Sequence, residues 1–119
     1  MESKLTDKII GAALIVHKTL GPGFIESVYE EALCVELTHQ CTRFERQKNV
    51  EIFYGDAPIA IHRMDLIVEK SVVVELKAIR SFEQIHFATI KSYLKASGLR
   101  VGLLLNFNHP TLVVKRFVL

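Results

Sequence analysis

Residues 72–76 read Val-Val-Val-Glu-Leu, a run that is apolar at nearly every successive position. Side chains alternate between the two faces of a strand, so a strand of this composition has both faces covered. Residues 65–68, Asp-Leu-Ile-Val, show the same property over a shorter stretch. We therefore expect a layered fold in which helices flank a central sheet.

The spacing of the apolar residues changes from a helical period to a period of two and back again. It predicts helices over residues 6–20, 25–38 and 82–96. It predicts strands over residues 50–54, 59–68, 72–79, 100–106 and 111–118, with residues 40–49 as a polar connection. Thr6 is the expected N-cap of the first helix, and Gly98 is the expected end of the third.

The predicted order of elements is ααβββαββ. Strands joined by short turns are antiparallel, whereas the helix between the third and fourth strands permits a parallel crossover. The expected class is α/β (α+β), with a mixed central β-sheet flanked by helices. The 119 residues have the length of one ordinary domain, and we expect a single domain over residues 1–119.

Composition limits the functional classes. Residues 1–8 lack the apolar region of a signal peptide, and no apolar run reaches the roughly 18 residues of a membrane span. We expect a cytoplasmic protein that does not contact a membrane. Cys34 and Cys41 form no Cys-x-x-Cys pair, which argues against structural zinc and favours reduced thiols. The formal charge of +2 is too small to indicate nucleic-acid binding by itself.

The strands around residues 69–71 carry the residues with the clearest chemistry. A three-residue loop there places Asp65 directly opposite Glu75, while Glu75 and Lys77 share a face. Carboxylates directly opposite each other are destabilising unless something neutralises them, and a hard divalent cation fits best. With Lys77 to stabilise negative charge, these are the groups needed for metal-assisted phosphodiester hydrolysis.

A structural ion pair explains the same local pattern equally well. An Asp, a Glu and a Lys on one sheet face form a solvated polar surface in many proteins. Charges within strands that are apolar on both faces are costly unless they serve a function. From the pattern alone, a metal site and a structural ion pair both remain open.

A small-molecule or redox enzyme has no support, because the chain has no glycine-rich phosphate loop, nucleophile elbow or Cys-x-x-Cys motif.

Five segments carry a resemblance to a known family. They are residues 23–29 (G-x-x-E-x-x-Y), 63–66 (Arg-Met-Asp-Leu), 74–78 (Val-Glu-Leu-Lys-Ala), 93–99 and 101–107. In this order and spacing the chain resembles the GxxExxY protein family, a small prokaryotic branch of the PD-(D/E)XK nuclease superfamily. The resemblance covers nearly the whole chain. It implies the superfamily core of a helix, three antiparallel strands, a helix and a further strand.

The resemblance also implies roles for individual residues. Asp65 and Glu75 would bind Mg²⁺, with Mn²⁺ as a substitute, and Lys77 would be the catalytic lysine. Glu26 would be the acidic residue that the superfamily often supplies from its first core helix. A carboxylate at a helix start also interacts well with the helix dipole, so Glu26 has that simpler interpretation as well.

Other residues near these positions have two interpretations each. Tyr29 lies on the face of Glu26 and is either a site residue or a core aromatic. We interpret Glu30 and Glu31 as solvated or capping charges. His86 is either a site-lining residue or a helix-start group.

Thr89 departs from the family pattern. It stands where the family places a glutamine after a His-x-Ala segment, here residues 86–88. Gln84 and Lys91 are candidates to replace that glutamine. The departure favours a module in which the acidic residues are inherited without efficient catalysis.

Two functions follow as hypotheses. The first is a Mg²⁺-dependent nuclease acting on DNA or RNA. The second is a catalytically weak or inactive nuclease-like module that binds nucleic acid or protein. Five basic side chains fit a phosphate-contacting rim and an ordinary charged surface equally: Lys77, Arg80, Lys91, Lys95 and Arg100. The apolar runs 101–105 and 112–118 predict an exposed edge through which two copies would pair as a homodimer.

Overall fold

The described part of the chain follows the predicted order of elements. The computed structural model describes residues 2–119, so Met1, which the predicted domain includes, lies outside it. Within that range the helices are α1 (Glu2–Leu20), α2 (Glu26–His39) and α3 (Gln84–Ser97). The strands are β1 (Phe44–Tyr54), β2 (Ala57–Val68), β3 (Val72–Lys77), β4 (Val101–Asn106) and β5 (Val113–Val118). None of these helices has the length and apolar character that a membrane crossing requires.

The five strands form one mixed sheet in the order β1-β2-β3-β4-β5. The pairs β1–β2, β2–β3 and β4–β5 are antiparallel, whereas β3 and β4, which α3 connects, are parallel. This confirms the mixed sheet flanked by helices. Along β3, Val74 packs in the core shared with α1 and α2, and Val73 packs in the core shared with α3. Both faces of the central strand are therefore covered, as its composition predicts.

The sequence predicted an exposed sheet edge from two apolar runs, and only the second run lies at an edge. All six residues of β4 are buried, and β4 lies between β3 and β5, so residues 101–105 cannot be an exposed edge. The expectation was wrong for this run because a strand that is apolar at successive positions indicates an interior strand. β5 does lie at an edge of the sheet among the described strands. A homodimer through residues 112–118 stays a prediction.

The first helix begins earlier than predicted. α1 starts at Glu2, so Thr6 lies inside it and is not an N-cap. The Thr6 hydroxyl donates to the main-chain carbonyl of Ser3 at 2.9 Å. A threonine inside a helix can satisfy its hydroxyl in this way, so the residue type alone does not identify a cap. Leu5 packs against the core and extends the apolar stripe toward the N-terminus.

Two strand boundaries also differ from the prediction. β1 begins at Phe44, so residues 44–49 are strand rather than connection. Their side chains are mostly polar because this part of β1 is largely exposed, yet the main chain still pairs with β2. β3 ends at Lys77 instead of residue 79. There side chains accept the next main-chain N–H groups: Glu26 binds that of Ala78, and Asn106 binds that of Ile79.

Glycines set the position of α3. Gly98 has a φ of 77°, and its N–H donates to the Leu94 carbonyl at 3.0 Å, which ends the helix as predicted. Gly102 on β4 lies directly under the helix. A Cβ atom there would stand 2.8 Å from Ile90 Cδ1. Any larger residue at this position would force the Ile90 side chain to move, so the close approach of α3 to the sheet favours glycine here.

Candidate active site

Two carboxylates face each other where the pairing of β2 and β3 ends. The paired residues end at Leu66 with Val74, which puts Asp65 opposite Glu75 as the three-residue loop predicts. The N–H of Asp65 donates to Glu75 Oε2 at 2.9 Å, and the N–H of Leu76 donates to Asp65 Oδ2 at 2.9 Å. In both cases a side-chain carboxylate accepts a main-chain N–H of the neighbouring strand, a role that a main-chain carbonyl has in a regular ladder. Within residues 2–119, no protein group donates to the second oxygen of either one.

Burial makes this pair hard to ionise. Glu75 is only 4% exposed, and burial, followed by the negative charge of Asp65, raises its pKa to about 8. Burial also raises the pKa of Asp65, and the hydrogen bond from Leu76 N–H partly offsets this. The positive charge of Lys77 lowers the pKa of both groups, although it forms no ion pair with either in the described structure. Metal-free protein therefore retains a proton on the pair near neutral pH.

Glu26 reaches the end of β3 from the first turn of α2. Its Oε2 accepts the N–H of Ala78 at 3.3 Å, immediately after Lys77. The negative charge of Glu26 also raises the pKa of Asp65 and of Glu75, although burial and other charged groups contribute more. Glu26 thus contacts the main chain just beyond the end of the strand that carries Glu75.

Tyr29 is a core aromatic that holds the loop before α2. Its ring is fully buried and stacks on Phe107 with centroids 4.5 Å apart and planes at 13°. Its hydroxyl donates to the Gly21 carbonyl at 2.6 Å and accepts the Phe24 N–H at 3.1 Å. These contacts favour the interpretation of Tyr29 as a core aromatic. The G-x-x-E-x-x-Y spacing makes structural sense, since the tyrosine fixes the loop from which Glu26 starts the helix.

The predicted accessory residues of α3 make local contacts. The Thr89 hydroxyl donates to the Ile85 carbonyl of its own helix at 2.8 Å. His86 Nδ1 accepts the Glu83 N–H at 2.8 Å, which makes it a helix-start group. Gln84 is exposed at the first position of the helix and has no hydrogen bond with the carboxylates. Gln84 therefore does not take the place of the missing glutamine by a hydrogen bond to the carboxylates.

A tyrosine and a histidine near the pair were not predicted. Burial, followed by the charges of Glu75 and Asp65, raises the pKa of Tyr93, so this phenol of α3 lies near both carboxylates. His62 of β2 packs edge-on against Tyr93, with centroids 5.6 Å apart and planes at 88°. The sequence spacing could have identified Tyr93. It lies one helical turn after Thr89 and hence on the same face of the helix.

Glu30 was also missed, and its interpretation as a solvated charge is wrong. It is 8% exposed, and its Oε2 accepts hydrogen bonds from Arg46 Nε at 3.1 Å and Nη2 at 2.9 Å. Gln47 Nε2 donates to Glu30 Oε1 at 2.8 Å, and Arg46 also pairs with the exposed Glu31 at 2.9 Å. Glu30 lies four residues after Glu26, a spacing that puts both on one helix face.

The five basic residues differ in exposure and in their contacts. Lys77 is half-buried, and Arg80, Lys95 and Arg100 are exposed. Lys91 Nζ lies 5.7 Å from the centre of the Phe117 ring on β5. That contact accounts for Lys91 as a cation packed on an aromatic ring.

The resemblance to the nuclease superfamily implies a divalent cation, and the carboxylate oxygens of the pair are the atoms that would bind it. Hard divalent cations bind carboxylate oxygens, and Asp65 Oδ1 and Glu75 Oε1 have no protein partner in the described chain. No group of three or more His, Cys, Asp or Glu side chains within residues 2–119 has metal-binding geometry. Two adjacent carboxylates suit Mg²⁺, which keeps several waters and takes one or two protein carboxylates.

A cavity of about 670 Å³ lies elsewhere. Its lining includes Cys41 at the end of α2 and Lys70 in the loop between β2 and β3, and none of the candidate site residues. The carboxylate pair, rather than this cavity, carries the recognisable chemistry.

Comparisons with known proteins agree on the fold. A family model described as the PD-(D/E)XK nuclease superfamily matches residues 3–117. No curated protein matches the sequence significantly. A solved structure titled "Crystal structure of SSO0001" superposes with a TM-score of 0.62 at 21% identity. The alignment covers 77% of this chain and 48% of that one, so the chain spans about half the length of that protein.

Proposed function

Since the chain belongs to the PD-(D/E)XK nuclease superfamily, we propose that it is a Mg²⁺-dependent nuclease that hydrolyses phosphodiester bonds of DNA or RNA. One observation carries the metal dependence. The buried Glu75 and the half-buried Asp65 lie side by side, each held through one oxygen by the partner strand and each with a second oxygen that no described protein group engages. A fold that keeps two carboxylates in this arrangement needs a cation to ionise both near neutral pH.

Each residue then has a defined task. Asp65 and Glu75 hold Mg²⁺, or Mn²⁺ in its place, and Glu26 completes or orients the site from α2. The bound cation would supply a Lewis acid for the scissile phosphate. Lys77, two residues after Glu75 on β3, stabilises the negative charge that develops on the phosphate during attack by water. The reaction breaks one P–O bond and forms another to the oxygen of water, with no redox change.

A second candidate is a catalytically weak or inactive module that binds nucleic acid or protein. The observation that favours it is the Thr89 hydroxyl, which is satisfied by its own helix at 2.8 Å. Gln84 makes no hydrogen bond with the carboxylates, and Lys91 packs on Phe117. In this candidate the carboxylates keep their arrangement, and turnover is lost.

Metal binding and cleavage separate the two candidates. We expect Mn²⁺ to bind the wild type in calorimetry and Asp65→Asn to weaken that binding, because the change removes one anionic ligand and preserves shape. Asp7→Asn, at an exposed position on α1, is the matched control and should bind Mn²⁺ normally. Cleavage is then assayed on single- and double-stranded DNA and RNA with Mg²⁺ and with Mn²⁺.

Mn²⁺ binding and cleavage together decide the nuclease proposal. If the wild type binds no Mn²⁺ at about millimolar concentration, roughly the weak limit for protein sites of this kind, and cleaves none of the four substrates, the nuclease proposal fails. Mn²⁺ binding without cleavage supports the second candidate.

A further inference from the structure

The backbone of β1 is strained at one position beside the carboxylate pair. Gln47 has a φ of 50°, the left-handed region, in the middle of an 11-residue strand. The pairing of Arg46 with Leu66 sets the register and places Gln47 opposite Asp65. A non-glycine residue adopts this conformation only where its surroundings hold it there. Asp65 therefore lies between two unusual neighbours, the strained Gln47 on one side and the Glu75 carboxylate on the other.

Glu30 of α2 holds this strained position. Its Oε1 accepts the Gln47 side-chain amide at 2.8 Å, and its Oε2 accepts two hydrogen bonds from Arg46. Three donors from two successive residues of β1 thus converge on one buried carboxylate. Hydrogen bonds to an ionised acceptor are shorter and stronger than neutral ones, and two donors on separate oxygens define orientation as well as distance.

We propose that Glu30, acting through Gln47, is a positioning residue for Asp65. The Glu30–Gln47 contact keeps β1 in the conformation that lets the Asp65 N–H reach Glu75 Oε2 and the Asp65 carboxylate reach the Leu76 N–H. The consequence for cleavage rests on the proposed function, whereas the consequence for the geometry of the pair does not.

The competing explanation is that these bonds only anchor α2 to β1. An anchor would lower stability when it is removed and leave the carboxylate pair as it was. Two variants separate the explanations. Gln47→Ala removes the bond and keeps the unfavourable backbone. Gln47→Gly removes the bond and relieves the strain, because glycine accepts a positive φ, so it folds even if Gln47→Ala does not.

The first measurement needs no metal. Amide hydrogen exchange in metal-free protein reports on the N–H groups of Asp65 and Leu76, which donate to the two carboxylates. We expect both variants to exchange these two amides at least about tenfold faster while the β4 amides keep their wild-type protection. Asn49→Ala, an exposed amide two residues along β1, is the matched control and should match the wild type. Unchanged protection at Asp65 and Leu76 in Gln47→Gly would overturn the proposal.

The second measurement uses Mn²⁺ and a rescue. Groups that orient metal ligands typically contribute about 10- to 100-fold in affinity, so Gln47→Gly should bind Mn²⁺ at least about tenfold more weakly. The double variant Glu30→Gln with Gln47→Glu keeps a hydrogen bond between the two side chains with donor and acceptor exchanged. It should recover most of the lost affinity, and kcat should fall in Gln47→Gly with KM for nucleic acid unchanged.

The two measurements keep the two proposals apart. If the wild type binds no Mn²⁺, the nuclease proposal fails and hydrogen exchange alone decides the role of Glu30. If the wild type binds Mn²⁺ and Gln47→Gly matches it in both affinity and exchange, the positioning role is refuted and the nuclease proposal stands. A double variant no better than Gln47→Gly would also refute the direct Glu30–Gln47 contact as the cause.

Discussion

Neutralising Glu75 should make the metal-free protein more stable. Its pKa is about 8 in the folded protein against an ordinary value of 4.5. Because the folded state holds the proton more tightly than the unfolded state, the contribution of Glu75 to stability is greatest below pH 4.5, falls as the pH rises, and levels off above about 8. Each pH unit in this window corresponds to about 1.4 kcal/mol, which gives at most about 5 kcal/mol at pH 9.

The expected gain is smaller than this upper value. Burial raises the pKa of Asp65 as well, so the two carboxyl groups share the electrostatic cost, and Asp65 keeps some contact with solvent. Glu75→Gln preserves shape, and its amide oxygen can still accept the Asp65 N–H. We therefore expect the variant to be more stable than the wild type by roughly 2–4 kcal/mol at pH 9, or on the order of 10 °C in Tm for a chain of this size. At pH 4 the two proteins should be nearly equal.

Urea unfolding followed by circular dichroism, in EDTA and at intervals from pH 4 to 9, measures this directly. Glu51→Gln, an exposed glutamate on β1, is the matched control and should follow the wild-type curve. Saturating Mn²⁺ should reverse the order, because a ligand stabilises only the protein that binds it. A Glu75→Gln variant with wild-type stability and the same pH dependence at every point would refute the reasoning that burial keeps Glu75 protonated.

Three further changes test other parts of the structure. Lys77→Ala should leave Mn²⁺ affinity largely intact and lower turnover by about 100-fold or more, since it acts on developing charge; an equal loss of affinity and turnover would contradict this role. Thr89→Gln, which restores the family residue, should leave the circular dichroism spectrum unchanged and raise turnover in a cleavage assay. Gly102→Ala should destabilise the protein by about 1–3 kcal/mol in urea unfolding, because the new methyl group meets Ile90 at 2.8 Å. Combining it with Ile90→Val, which removes the contacting Cδ1, should recover part of that loss.

Local patterns of the sequence determined the order of the elements and the main hairpin. The apolar run in β3 indicates burial on both faces, and a three-residue loop at residues 69–71 leaves one register that puts Asp65 opposite Glu75. These inferences succeed because strand alternation and turn length act over a few residues. The same locality explains the errors at Thr6 and at residues 44–49, where polar residues occur inside a helix and a strand.

Only the tertiary structure decided which polar side chains of distant elements meet. Glu30 appears as a surface charge until α2 packs beside β1 and brings it to Arg46, 16 residues away in the chain. The hydrogen bonds by which the Tyr29 hydroxyl holds the loop from Gly21 to Phe24 likewise appear only in the folded structure. Long-range contacts of this kind depend on how whole elements pack, and periodicity does not encode them. The pKa of Glu75 is likewise a property of the folded state, because the burial that raises it exists only after β3 is covered on both faces.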